Sequence, residues 1–141
     1  MTEIIGLSAV VISLVFVGYE LRQNTKQMRA EASNTITERV NMMNAGVYND
    51  ASLASILIRG EQEILSLNEV ELRRFVLYQF SRLNLAEYIL DLDAQGVSDL
   101  NFDFVNVLVR DFKTQPGLQK FIQSIDSTYE GSDQLYLMLT E

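Results

Sequence analysis

The chain has 141 residues, a net charge of −8 and no Cys, His or Trp. Because His and Cys are the usual ligands of zinc, haem iron and copper, and Cys is the thiol nucleophile, this composition largely excludes sites of those kinds. The charge deficit lies in residues 48–141, which hold seven basic and fifteen acidic side chains. An acidic surface repels phosphate backbones, so no nucleic-acid partner is predicted. Few Pro and Gly, with many Leu, Ile, Val and Glu, predict an all-α fold.

An uncharged apolar run, IIGLSAVVISLVFVGY, occupies residues 4–19. It lacks the basic residues before it and the small-residue cleavage site after it that define a secretory signal peptide. A buried core helix is the alternative, since a bilayer span usually needs roughly 20 residues. However, the apolar side chains surround the helix, and with Leu21 included the run reaches about 27 Å. Residues 1–21 are therefore predicted to be a transmembrane anchor, the beginning of one long helix.

Basic residues follow this apolar run directly. Arg22, Lys26 and Arg29 come after it, whereas Glu3 is the only charged side chain before it. The positive-inside rule then places the N-terminus outside and the C-terminal domain in the cytoplasm. Tyr19 lies at the predicted boundary, where an amphipathic ring is well suited. These juxtamembrane residues are expected to contact lipid headgroups or a neighbouring subunit, or to form a simple interfacial collar.

Three small residues share one face of the predicted span. Gly6, Ala9 and Ser13 are spaced by three and four residues. Small residues allow helix backbones to approach closely in lipid, which favours association. We therefore expect this face to contact the helices of other membrane proteins or its own copies.

Residues 22–47 are predicted to extend the helix beyond the membrane, ending at Gly46 and the Asn49–Asp50 pair. Apolar residues spaced mostly by four and three form a narrow stripe on this polar segment. The stripe consists of Leu21, Met28, Ala32, Ile36, Val40, Met43 and Val47. It either packs on the rest of the domain or pairs with a second copy. The spacing does not keep a strict heptad, so a long coiled coil is the weaker alternative.

Residues 48–141 are predicted to form an acidic, antiparallel helical bundle. Asp50 is the expected N-cap of a helix over 51–59, and Gly60 its terminator. A capping box, either Ser66 with Glu69 or Asn68 with Glu71, begins a long helix that continues to about Ala94 and stops at Gly96. Further helices are expected over 101–113, over 116–126 with Pro116 in the first turn, and over 133–139 after a Ser132 cap.

One acidic segment has the form of a metal loop. Asp91, Asp93, Gln95 and Asp99, with a Gly at position 96, match the start of a calcium-binding EF-hand loop. The twelfth position requires a bidentate Glu and is Phe102, so the ligand set is incomplete. A helix end with Gly96 after the cap explains the same residues, and no metal site or cofactor is predicted. Glu87, Asp91 and Asp111 could pair as carboxylates for acid–base work, but solvated helix surface is the better explanation.

The predicted span is followed by the run GYELRQNT at residues 18–25 and by MRA at residues 28–30. Together these segments resemble the juxtamembrane signature of a family of small, uncharacterised bacterial single-pass membrane proteins. Later landmarks, among them Pro116–Gly117 followed by Phe121, are also similar. The chain departs from that pattern in having Phe and Tyr where such proteins often place Trp. The resemblance implies a helical domain anchored in the bacterial inner membrane, and it implies no activity.

These features predict a non-enzymatic, membrane-anchored interaction protein. Its partners are expected to be the lipid bilayer together with other membrane helices or its own copies. It either self-oligomerises or serves as an accessory subunit on the cytoplasmic face of a larger complex. The alternative is a membrane-tethered sensor or regulator that binds a small ligand in its helical domain.

Overall fold

The structure, a computed structural model, describes the backbone of residues 2–97, 103–125 and 133–140, and the side chains of residues 10–97, 103–125 and 134–140. Within these ranges there are six α-helices, one short 3₁₀ turn and no β-strand, so the all-α prediction is confirmed. The helices are α1 (Thr2–Tyr48), α2 (Ala51–Gln62), α3 (Glu69–Ala94), α4 (Asp103–Thr114), α5 (Pro116–Ile125) and α6 (Asp133–Thr140). The predicted cap at Ser132 lies outside the described residues.

Local side-chain contacts set the start of α2 and α3. The carboxylate of Asp50 accepts a hydrogen bond from the Leu53 amide at 3.0 Å, as expected of an N-cap. Of the two predicted capping boxes, the one at Asn68 and Glu71 forms, because each side chain accepts a bond from the other residue's amide. Ser66 instead lies in the 3₁₀ turn before it. The spacing of these residues in the sequence is compatible with a capping box at either position, so it could not decide between them.

Gly60 was predicted to end α2, and this is wrong. The helix continues to Gln62, and Gly60 is buried within it. Its lack of a side chain serves packing: a Cβ there would collide with the Phe75 ring, and one on Gly117 would collide with the Gly60 carbonyl oxygen. Helices α2 and α5 therefore cross in backbone contact at this glycine pair. Gly46 is likewise inside a helix, since α1 continues to Tyr48.

The core lies where α2, α3, α4 and α5 meet, and its centre is aromatic. Phe121 on α5 packs against three other rings, with centroid distances of 6.3 Å to Phe75, 5.5 Å to Phe80 and 6.3 Å to Phe112. Edge-on and tilted rings at these distances add to the hydrophobic burial. Phe75, Phe112 and Phe121 are almost completely buried. This centre fixes the four helices relative to one another and so positions the cavity beside them.

Helix α1 is 47 residues long, about 70 Å at 1.5 Å per residue. From residue 10 onward, where the side chains are described, its C-terminal part is the portion that packs on the other helices. Ala32 and Ile36 are buried, and Val40, Met43 and Val47 pack against the core. Toward the N-terminus the same stripe is solvent-facing, because Leu21 is 62% and Met28 47% exposed. The stripe therefore meets the body from Ala32 onward.

The described part of α1 before Ala32 begins with a mostly apolar, uncharged run that ends at Tyr19. Seven large side chains between residues 10 and 17 are at least 48% exposed. They are Val10, Val11, Ile12, Leu14, Val15, Phe16 and Val17. Among the residues that the structure describes, no helix combines the length and the apolar character needed to cross a membrane.

Candidate functional site

A cavity of about 410 Å³ opens between the C-terminal part of α1 and helices α2, α3 and α4. Its α1 wall is mostly apolar, formed by Val40, Met43 and Val47 with the polar Asn44 among them, and Tyr48 lies at the end of that helix with 88% of its surface exposed. Its opposite side is polar. A volume of this size, with apolar walls and a few grouped polar side chains, is typical of small-molecule sites.

The polar side is an ionic cluster centred on the buried Arg82. Its Nη2 donates to Asp111 Oδ2 at 2.8 Å, and its Nη1 donates to Gln79 Oε1 at 3.1 Å and lies 3.7 Å from Glu61 Oε1. The guanidinium also lies 5.8 Å from the centroid of the Phe112 ring. Glu61, Arg82 and Asp111 all line the cavity, and they come from α2, α3 and α4. The cluster thus joins three helices at one point.

The two carboxylates of the cluster are not equally compensated. Asp111 pairs with both Arg82 and the exposed Arg110, whereas Glu61 has a longer contact with Arg82, and the amide nitrogen of the fully buried Gln79 has no hydrogen-bond partner among the described residues. Burial raises the pKa of Glu61; Arg82 opposes this effect and Asp111 adds to it. Burial likewise raises the pKa of the neighbouring Tyr78. Glu61 is therefore the least compensated charge at this site.

We expect Glu61→Gln to leave stability at pH 7 unchanged or to raise it by up to about 1 kcal/mol. The folded protein holds a proton on Glu61 more readily than the unfolded chain, so stability falls as pH rises from the ordinary pKa of 4.5 through the raised value. Gln carries no such proton. The gain of the variant over wild type should therefore grow from pH 4.5 to 7 in urea unfolding curves.

Glu38→Gln is the matched control, because it removes the same charge from an exposed position on α1. Its urea unfolding curves are measured over the same pH range and compared with those of Glu61→Gln. This account of Glu61 would be contradicted if the stability gain of Glu61→Gln were largest at pH 4.5, or if it had the same pH dependence as the stability change of the control.

The predicted membrane-contact residues lie on α1, away from the cavity. Ser13 is exposed, and for Gly6 and Ala9 the structure describes the backbone alone. Of the juxtamembrane residues Tyr19, Arg22, Lys26 and Arg29, only Arg29 is partly buried, and its Nη2 donates to the Gly96 carbonyl at 3.3 Å. This hydrogen bond connects the basic juxtamembrane segment of α1 to the turn that follows α3.

The calcium-like segment is a helix end in the part that the structure describes. Asp91 and Asp93 lie in the last turn of α3, and their carbonyl oxygens accept the Gln95 and Gly96 amides at 3.1 and 2.8 Å. Gly96 has a φ of +67°, and the Val97 amide bonds to Leu92, which completes a Schellman motif. Asp99 and Phe102 lie outside the described residues. In the described ranges, no group of three or more acidic side chains could hold a metal ion.

Sequence reasoning missed the ionic cluster, although α3 carries a signal for it. Gln79 and Arg82 fall at core positions of the helix, on the stripe that includes Phe75, Leu83 and Ala86. Polar side chains at such positions are rarely buried without partners. That rule could have indicated a buried ionic contact, but not which acidic residues supply it.

The chain thus carries two candidate functional features, the ionic cavity in the body and the exposed apolar segment of α1. They lie on different parts of the fold and require separate tests. No protein-family model, curated protein or solved structure matches this chain.

Proposed function

We propose that this chain is a non-enzymatic interaction protein anchored in the bacterial inner membrane by the outer half of α1. The helical body lies on the cytoplasmic face and acts either as an oligomer or as an accessory subunit of a larger membrane complex. The observation that carries the proposal is the exposure of apolar side chains on every side of α1 between residues 10 and 17. Large exposed apolar surfaces mark contacts with membranes or other proteins.

The sequence around this segment supports an anchor. The uncharged run begins at Ile4 and ends at Tyr19. The exposed basic residues Arg22 and Lys26 follow it. An all-round apolar helix followed by cations fits a single span with its C-terminal side in the cytoplasm. The run GYELRQNT at residues 18–25, which resembles the juxtamembrane signature of small bacterial single-pass proteins, agrees with this orientation.

Alkaline carbonate extraction of membranes from cells that express the full chain tests the anchor. We expect wild type to stay in the membrane fraction and Val11→Asp with Val15→Asp to move to the soluble fraction, because each central Asp costs roughly 2.5–3.5 kcal/mol in a span. Asn34→Asp with Asn41→Asp adds the same charge at exposed positions of the packed half of α1 and should stay in the membrane. A wild-type chain that carbonate extracts would refute the anchor.

The interaction part of the proposal has its own test. In a mild detergent extract, native gel electrophoresis should show the chain in a discrete complex, and Ser13→Leu should weaken that complex, because a larger side chain separates helices that meet at small residues. Ser55→Leu, at an exposed position of α2, is the control. A wild-type monomer under these conditions would contradict an interaction role and leave the anchor standing.

A further inference from the structure

The cavity beside α1 combines a mostly apolar wall with a weakly compensated carboxylate, and this pairing defines the chemistry of a ligand. We propose that it binds a small organic cation, whose ammonium group pairs with Glu61 and whose apolar part packs along α1. The site goes beyond a role in protein association, and it does not depend on whether α1 enters a bilayer, because its lining comes from the body and from residues 40–48 of α1.

The guanidinium at this site is already engaged, which argues against an anionic ligand. One terminal nitrogen of Arg82 bonds to Asp111, and the other bonds to Gln79 and faces Glu61. An incoming carboxylate or phosphate would have to displace one of these partners and would meet two negative charges. Electrostatic complementarity therefore disfavours it.

The two carboxylates differ in how well they are compensated. Asp111 has a cation at each oxygen, since Arg82 lies 2.8 Å from Oδ2 and the exposed Arg110 lies 3.2 Å from Oδ1. Among the described residues, the ion-pair contact of Glu61 is the one with Arg82 at 3.7 Å, which is too long for a hydrogen bond. A bound ammonium group would supply the missing partner to Glu61, and hydrogen bonds between charged groups in partly buried sites are the strong ones.

The remainder of the cavity suits the apolar part of such a cation. Val40, Met43 and Val47 form one wall, and the rings of Tyr78 and Phe104 also line the space. Apolar groups of the ligand gain by leaving water against this wall. Aromatic faces additionally attract organic cations. A hydrated metal ion would gain nothing from these apolar and aromatic surfaces, so they favour an organic cation.

Binding can be measured with three probes of equal length, n-pentylammonium, 1-pentanol and pentanoate, by calorimetry on the full chain in a mild non-ionic detergent. We expect the ammonium to bind about tenfold more tightly than the alcohol, as a charge-assisted hydrogen bond in a partly buried site allows. We expect pentanoate to bind most weakly. Glu61→Gln should abolish the preference for the ammonium, and Glu38→Gln should keep it. Wild type, Glu61→Gln and Glu38→Gln are measured in the same detergent. Partitioning of a probe into the micelles therefore cancels when that probe is compared between the three proteins.

The methionine methyl groups report the location and keep the proposal testable if Glu61→Gln does not fold. With labelled methionine, the Met43 methyl signal of wild type should shift on titration with pentylammonium, while that of the exposed Met28 should not. Tighter binding of pentanoate, equal binding of all three probes, an ammonium preference that survives in Glu61→Gln, or a titration that leaves Met43 unmoved would each overturn the proposal.

Discussion

Gly117→Ala is expected to destabilise the folded chain by about 3 kcal/mol, near the upper end for overpacking a close contact. The added methyl group would collide with the Gly60 carbonyl oxygen and lie 2.9 Å from the Glu61 carbonyl carbon. Both obstacles are backbone atoms, so no side chain can rotate out of the way. Helix α5 would have to move away from α2, and Phe121 would lose its fit among the surrounding rings. Urea unfolding followed by circular dichroism measures the loss.

Gly46→Ala is the matched control for this change. Gly46 lies inside α1, and apart from its chain neighbours and the backbone of its own helix no heavy atom lies within 4 Å of the position of an added Cβ. Since Gly costs about 0.5–1 kcal/mol relative to Ala inside a helix, this variant should be as stable as wild type or slightly more stable. If both Gly→Ala variants unfold at the same urea concentration, α2 and α5 do not meet in backbone contact at Gly60 and Gly117.

The elements that sequence could predict are those fixed by neighbours in the chain. Asp50 bonds to an amide three residues away, Asn68 and Glu71 cap each other, and Gly96 adopts the positive φ that ends α3. Pro116 begins α5, where its missing amide proton costs nothing. Such signals act over one helical turn and are therefore visible in a single sequence.

The features that sequence could not predict depend on contacts between distant residues. A glycine such as Gly60 typically ends a helix, yet Gly60 lies inside α2, where Gly117, far along the chain, packs closely on its backbone. Asp111 was assigned to solvated helix surface, but it pairs with Arg82. Both predictions failed for the same reason. Helical periodicity shows on which face of its own helix a residue lies, but not which residues of another helix it contacts.

Arg82→Met tests the cluster that holds α2, α3 and α4 together. Met replaces the side chain with an apolar one of similar length but leaves Asp111 Oδ2 and Gln79 Oε1 without their donor and removes the cation that lies 3.7 Å from Glu61. Removing one partner of a buried ionic contact typically costs 3–5 kcal/mol, because the remaining charge stays out of water. Both carboxylates retain some exposure, so we expect about 3 kcal/mol in urea unfolding at pH 7.

Two comparisons separate this cost from the simple loss of a cation. Arg110→Met removes the same charge from the other oxygen of Asp111, but at a side chain that is 67% exposed, so it should cost at most about 1 kcal/mol. Adding Glu61→Gln and Asp111→Asn to Arg82→Met should restore more than half of the lost stability, because the buried charges disappear. Equal costs for the two Arg variants, or no recovery in the triple variant, would mean that Arg82 stabilises the fold through packing of its carbon chain rather than through its charge.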